Sequence, residues 1–275
     1  MVEKAFSFYG NAKAKDLHLY IECGVRHLAF WLKENNETKQ IVSFELFYFK
    51  AATFFFKEVF EKTEMQSGIL NQKYRSVNIT WENSRCVCIP QQYFSSDMMG
   101  ACTGYLYSEN NAGESLYTFG NEFSVAYKTD PEQYKVLTQY FPAAKHFHKY
   151  HSFSKVISGM EKKRPALMYV ALFYNYYIIS AFDNGQMQFI NRLQYASIPD
   201  TVKTIENATN LLQWNAENTA LIVSGIIDEQ SALYNQLAKH FALLKIDDDV
   251  EFSFDNAEEL VHSPLYYLPY FKFGA

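Results

Sequence analysis

His146, His148 and His151 form the only histidine cluster in the chain. In an extended segment the first two share a face, as two ligands of one ion would. The spacing is generic, and no cysteine or carboxylate adjoins it, so hydrogen-bonded or exposed histidines explain the pattern better than a metal site. Cys86-Val87-Cys88 is a second candidate. Its single intervening residue is read as turning the two thiols to opposite faces of a strand, against a shared metal or an internal disulfide and in favour of small buried hydrophobes. No serine or cysteine sits in a nucleophile elbow beside a base, so covalent hydrolytic chemistry is not expected.

The elements that would position any site alternate between strand and helix. Leu17 to Cys23, Val25 to Lys33 and Gln40 to Leu46 read as strands separated by Gly24 and by the polar turn Asn35-Asn36-Glu37-Thr38. Lys50 to Thr63 follows as a helix with Ala52, Phe55, Phe56, Val59 and Phe60 near one face. Arg75 to Trp81 and Arg85 to Ile89 are expected as a hairpin, Ser95 to Tyr107 as a helix, and Leu116 to Phe119 and Phe123 to Lys128 as short strands. Asp130-Pro131 opens a helix running to Tyr140, and His151 to Glu161 is an amphipathic helix linking two halves.

The second half repeats this order. Ala166 to Phe173, Tyr176 to Phe182 and Met187 to Tyr195 are strands turning at Asn175 and at Asp183-Asn184-Gly185, and Pro199 to Trp214 is the following helix. Thr219 to Val223 is a strand, Glu229 to Phe241 a helix and Ala242 to Ile246 a strand. The acidic stretch Asp247 to Glu259 is expected as a surface loop, and Leu265 to Phe273 ends the chain with aromatics. Those terminal aromatics and the phenylalanines around Phe54 to Phe60 belong in a core by default, with an exposed docking patch as the other reading.

Composition narrows the function. Of 275 residues 48% are hydrophobic and 17% aromatic, enough to build a substantial core and too many for a disordered chain. A formal charge of -5 and the lack of a dense basic stripe argue against nucleic acid as a partner. Lys162-Lys163-Arg164 reads as a solvated helix end. The opening Met1 to Asp16, with Lys4, Lys13 and Lys15, lacks the apolar core of a signal peptide. Ala166 to Phe182 is apolar enough to suggest a membrane span, but its β-branched and aromatic content and the hairpin signal after it favour two buried strands. Four irregularly spaced cysteines suit a reducing compartment, so a cytoplasmic protein is expected.

Each half therefore runs strand, tight turn, strand, polar turn, strand, helix, strand, helix, with Gly24 and Asn175 at equivalent first turns because both residue types tolerate left-handed backbone angles. That order is the ribonuclease-H-like module. Two in tandem, here residues 1–150 and 151–275, give an α/β protein of actin-like ATPase architecture, an analogy of fold that carries no function by itself. At Leu17 to Leu46, Phe189 to Tyr195, Val223-Ser224-Gly225 with the Leu233-Tyr234 helix, and Leu268 to Phe273, the chain resembles a family of unknown function from Bacteroidota-type bacteria whose members look like actin-like ATPases.

The resemblance implies where a nucleotide would sit, and this chain departs from it there. Working actin-like ATPases hold phosphates and magnesium at the first hairpin turn of each lobe, with an aspartate in the metal shell. Here the first turn, Glu22-Cys23-Gly24-Val25, keeps one carboxylate and one glycine. The second, Tyr174-Asn175-Tyr176-Tyr177, has no carboxylate. Glu22 is either the remnant of a metal shell or, more simply, a strand-end carboxylate facing solvent. The nucleoside turn of the family is a glycine-rich strand-to-helix loop, where Ser224-Gly225-Ile226-Ile227-Asp228 keeps a serine and one glycine. Glu22, Gly24, Asn175, Ser224 and Gly225 are thus the candidate cleft positions, with no catalytic residue and no metal ligand among them. The expected function is that of a non-catalytic actin-like protein that binds another protein. The alternative is a switch that takes ATP and magnesium into the inter-lobe cleft.

Overall fold

A computed structural model describes residues 2–10, 16–34, 40–50, 55–95, 98, 101–102, 104, 113–120, 123–160, 165–248 and 263–274. The chain divides into two compact units, one built mainly from Met1–Ser152 and the other from Phe153–Val250 and Val261–Phe273.

In the first unit β1 (Val2–Tyr9), β2 (Leu17–Gly24), β3 (His27–Glu34), β4 (Ile41–Phe49), β5 (Ser76–Glu82) and β9 (Lys145–His148) make one sheet in the order β1-β4-β3-β2-β5-β9. The β1 to β2 side is antiparallel, while β2, β5 and β9 run parallel. β3 and β4 are buried along almost their whole length, as their largely apolar sequences suit in strands covered on both faces. Helix α1 (Phe56–Gln66) packs down Phe56, Val59, Phe60 and Thr63, one stripe at helical spacing. Helix α2 (Pro131–Tyr140) starts where Asp130 accepts from the backbone N–H groups of Glu132 and Gln133. A small sheet of β6 (Cys86–Pro90), β8 (Phe123–Lys128) and β7 (Ser115–Thr118), in that order, lies between β5 and α2 in the chain.

The second unit repeats the module. β10 (Leu167–Leu172), β11 (Tyr176–Asp183), β12 (Gln186–Gln194), β13 (Ala220–Gly225) and β14 (Leu243–Ile246) form the sheet β12-β11-β10-β13-β14, antiparallel on the β12 side and parallel from β10 to β14. Asn184 and Gly185 take positive φ, 49° and 82°, in the tight turn between β11 and β12. Helix α4 (Ile198–Leu211), capped by Ser197, lays Val202 and Ile205 on a core of Met168, Val170, Ile179, Leu221 and Val223, which Leu233 and Leu237 of α5 (Ala232–Leu237) complete. Helix α3 (Lys149–Met160) leads from one unit into the other along the chain, and α6 (Leu268–Lys272) ends the second. Stretch 166–182 is thus two buried strands, and among the described residues no helix is long and apolar enough to cross a membrane.

Several expectations need correction. β5 and β6 are not a hairpin: β5 lies between β2 and β9, whereas β6 pairs with β8, because the polar link at Asn83-Ser84-Arg85 passes the chain to another sheet. β1 and β9 were not expected as strands. β1 is held by the buried Glu45 of β4, whose carboxylate accepts from Lys4 Nζ at 3.0 Å, from Gly68 N–H at 2.9 Å and from the hydroxyls of Tyr9 and Ser67. α5 is shorter than the expected 229–241, since Ser231 caps it and turns follow Leu237. Asp247 is buried instead of lying on a surface loop, while the rest of that stretch from 249 onward, and most of the helix expected over 95–107, lie outside the described residues. Of the terminal aromatics, Tyr270, Phe271 and Phe273 are buried and Tyr266 and Tyr267 half-buried, so they are core and no docking patch. Phe56 is buried while Phe55 is exposed, and Phe54 is outside the described residues.

Candidate functional site

Glu22 lies one turn of the pleat before the end of β2, paired across the sheet with Ala29 on β3 and Thr80 on β5. It does not face solvent, as its sequence position suggested; it is fully buried. Its Oε1 meets His27 Nε2 at 3.0 Å, and its Oε2 accepts from Lys149 Nζ, also fully buried. Burial alone would push the Glu22 carboxyl up, but Lys149 and His27 outweigh it and hold it below the ordinary carboxylate range. Burial also pulls the Lys149 ammonium down, an effect that Glu22 and Glu82 offset in part. We take the pair as ionised, since neither charge has water to fall back on and each has the other within bonding distance.

Gly24 closes the same turn. It does not adopt the left-handed backbone angle expected of it; the positive-φ residues among those described are Asn184, Gly185, Gln213 and Gly225. Its lack of a side chain matters for space: an added Cβ would fall 2.1 Å from Cε1 of the His27 ring. The imidazole that bonds Glu22 therefore lies against the Gly24 backbone, on the surface that a phosphate would need for close approach.

The second unit builds the same position with opposite sign. Strand register aligns β9, β5 and β2 with β14, β13 and β10: His148 stands across from Trp81 and Cys23 as Ile246 stands across from Val223 and Val170. The residue after each fifth strand is then Lys149 in one unit and Asp247 in the other, and their partners Glu22 and Tyr169 are matching residues of the central strands. The Tyr169 hydroxyl donates to Asp247, and Lys272 Nζ of α6 bonds both its oxygens at 3.0 and 2.9 Å. Phe273 stacks on Phe153 with ring centres 3.7 Å apart.

The second hairpin turn carries no charge. Phe173 and Tyr176 stack at 4.4 Å, Tyr270 meets Phe173 edge-on, and the Arg192 guanidinium lies 4.2 Å from the Tyr176 ring centre. Asn175 is not left-handed either; its carbonyl accepts from Tyr195 N–H at 3.0 Å. Leu172 pairs with Gly225, so the Asn175 and Ser224-Gly225 turns lie at the same end of neighbouring strands. Gly225 has φ of 94°, and an added Cβ would be 2.0 Å from the Leu172 carbonyl oxygen and 3.1 Å from Pro269. Gly225→Ala is accordingly expected to destabilise the protein by about 2–4 kcal/mol in urea unfolding, from strain and collision together. A loss under about 0.5 kcal/mol would mean that β10 and β13 separate without cost there.

His146 and His148 are both committed. His146 Nδ1 accepts from Trp81 Nε1–H at 3.1 Å and its ring stacks on that indole. His148 Nδ1 accepts from Tyr150 N–H and its Nε2–H donates to the Asn83 carbonyl, both at 3.2 Å. No group of three or more His, Cys, Asp or Glu among the described residues could hold a metal. The reading of Cys86 and Cys88 was wrong in its geometry: a strand alternates with period two, so both thiols of β6 face the same side. Burial first, then Cys88 and Glu82, pushes the Cys86 thiol up, and burial pushes Cys88 up to about 12, leaving both protonated and inert.

Lys149, His27, Asp247, Tyr169 and Lys272 were not singled out in the sequence. One signal was available for Lys149. A lysine opening a helix is opposed by the dipole, so its presence there points to a carboxylate nearby.

The described architecture has close counterparts among solved structures. A protein of actin-like ATPase fold and unknown function from Bacteroides thetaiotaomicron VPI-5482 superposes with a TM-score of 0.73 at 18% identity, over 85% of this chain and 91% of that one. A chain of the PilM-PilN type IV pilus biogenesis complex gives 0.58 at 8% identity, over 94% and 96%. At such identities the likeness is one of fold, and the fold is that of the actin-like ATPases. No curated protein matches the sequence. The family model described as "protein of unknown function (DUF3822)" matches residues 9–244, and the chain belongs to that family.

Proposed function

We propose that this chain is a non-catalytic actin-like protein that acts by binding another protein. The observation that carries the reading is the closure of Glu22: both carboxylate oxygens are engaged, by Lys149 and His27, so the acid of the first hairpin turn is not open to a nucleotide. Metal-assisted phosphoryl transfer needs charge that is open to the nucleotide. Apart from the exposed Arg26, the turns present apolar side chains. Val25 is exposed beside Gly24, and Tyr174 and Ile226 are exposed at the same end of the second sheet, Tyr174 at 70%. Exposed aromatic and aliphatic anchors suit a protein partner better than a phosphate. A neighbour of the same fold belongs to a two-protein complex, which is consistent with such use of the architecture.

Two measurements test this. Thermal unfolding with magnesium-ATP is expected to show no stabilisation, whereas specific binding would add about 2.7 kcal/mol at a hundredfold excess over Kd. That gain would favour the ATP switch. Affinity capture with the wild type, Tyr174→Asp and Ile226→Asp side by side is expected to yield a partner that the two variants lose. Equal recovery on all three would count against the reading.

A further inference from the structure

The two sheets share a module but differ at one edge. In the first unit the third strand of the module, β4, is covered on its outer side by β1, paired antiparallel from Val2↔Phe49 to Tyr9↔Ser43. In the second unit the matching strand, β12, ends the sheet, and among the described residues no strand pairs with its outer side. Other sheet ends are short or guarded. β7, β9 and β14 have four residues each, β6 has five and ends in Pro90, and β1 carries Glu3, Lys4 and a bulge between Lys4 and Phe6. Such features blunt an edge against pairing. β12 has nine residues, no proline and one charge, Arg192. Its register shift falls opposite Ala181/Phe182, leaving Phe189 to Gln194 regular.

The direction of its main-chain groups follows from one bond. Tyr195 N–H donates to the Asn175 carbonyl at 3.0 Å, and antiparallel ladders alternate bonded and non-bonded pairs. Leu193, Asn191 and Phe189 therefore bond towards β11, while Ile190 and Gln194 turn their N–H and C=O groups outward.

We propose that β12 is a homodimer interface, pairing antiparallel with β12 of a second copy about a two-fold axis at Asn191. The sequence Phe189-Ile190-Asn191-Arg192-Leu193 is complementary to itself in that frame. Phe189 meets Leu193 of the second copy on the core side, where both residues already pack against the hydrophobic cluster. Ile190 meets Arg192, whose guanidinium rests on Tyr176 of its own sheet. Asn191 meets its own copy, and an amide can donate and accept at once. A frame centred one residue later would set arginine against arginine, which like-charge repulsion disfavours. A strongly charged foreign strand would find one charge, Arg192, and otherwise only amides at Gln186, Gln188 and Gln194 to answer it. The joined sheets would run continuously through ten strands, closed by two-fold symmetry.

Light scattering and sedimentation across a concentration series are the test. The wild type is expected to form a concentration-dependent dimer. Asn191→Asp, which places two carboxylates face to face, is expected to weaken it at least about tenfold. Asn191→Cys occupies a non-bonded cross-strand pair with Cα atoms about 4.5 Å apart, within disulfide range, and is expected to cross-link as a dimer under mild oxidation. Both changes lie on an exposed residue, and circular dichroism checks that the fold is kept. A wild type that stays monomeric overturns the proposal, including one that takes up a foreign strand instead. So does a dimer that Asn191→Asp leaves intact and Asn191→Cys fails to cross-link.

Discussion

Lys149→Met is expected to destabilise the first unit by about 3–5 kcal/mol, the cost of leaving a buried carboxylate without its cation. The methionine fills much the same volume, so the loss reports charge and not a cavity. His27 remains hydrogen-bonded to Glu22 Oε1, so only the Oε2 partner is lost. The double variant Lys149→Met/Glu22→Gln is expected to recover most of the loss, since a neutral amide needs only hydrogen bonds. Urea unfolding of the wild type, both single variants and the double variant gives the coupling energy. A single-variant loss below about 1 kcal/mol would place the pair among weak, solvated ion pairs and remove the main support for the functional proposal. The acid limb carries the same sign. Glu22 is held below its ordinary range in the folded state, so its contribution is present above the unfolded value and is lost as pH falls through the folded one. Glu22→Gln should flatten that part of the curve.

A second acid effect comes from His148 and begins at a higher pH. Burial lowers its pKa to about 3, with the Asn83 carbonyl opposing and His151 adding to the fall. Tyr150 N–H can only donate and the Asn83 carbonyl only accept, so the proton sits on Nε2 and the folded state holds a neutral ring. The unfolded histidine takes up a proton near pH 6.5, which the folded one refuses until about pH 3. Stability is therefore expected to fall as pH drops between those values, by up to about 1.4 kcal/mol per unit. His148→Gln should remove this slope at a cost of about 1–3 kcal/mol near neutrality. Chemical denaturation from pH 7 to pH 4 reads both quantities, and an unchanged slope in the variant would assign the acid loss elsewhere.

The repeated module was legible because its signals are local. Asn184-Gly185 marks a hairpin, Asp130-Pro131 and Ser197 open helices, and the apolar runs at 167–172 and 176–182 have the length and β-branched content of buried strands. β1 and β9 were missed for the opposite reason. β1 is defined by partners on β4 more than 30 positions later in the chain, and β9 is four residues of Lys-His-Phe-His whose only strand signal is pairing with β5. The candidate site divides in the same way. Glu22 and Gly24 were found because they adjoin a turn, whereas Lys149 stands 127 positions from Glu22 and Asp247 78 from Tyr169. With such separation, a carboxylate bound for the interior looks in sequence like one bound for water. Gly24 was placed correctly and explained wrongly, since its small size makes room for His27 and its backbone angle is ordinary.

The socket behind each fifth strand has a bearing on how such a chain can drift. The backbone sets the depth of the socket, yet Lys149 and Asp247 show that it leaves polarity undecided. An ammonium in one copy and a carboxylate in the other each answer a counter-group from their own unit. Neither member can be exchanged alone without stranding its mate away from water. Inversion from one polarity to the other would therefore have to cross a neutral state, in which the mate loses its charge first.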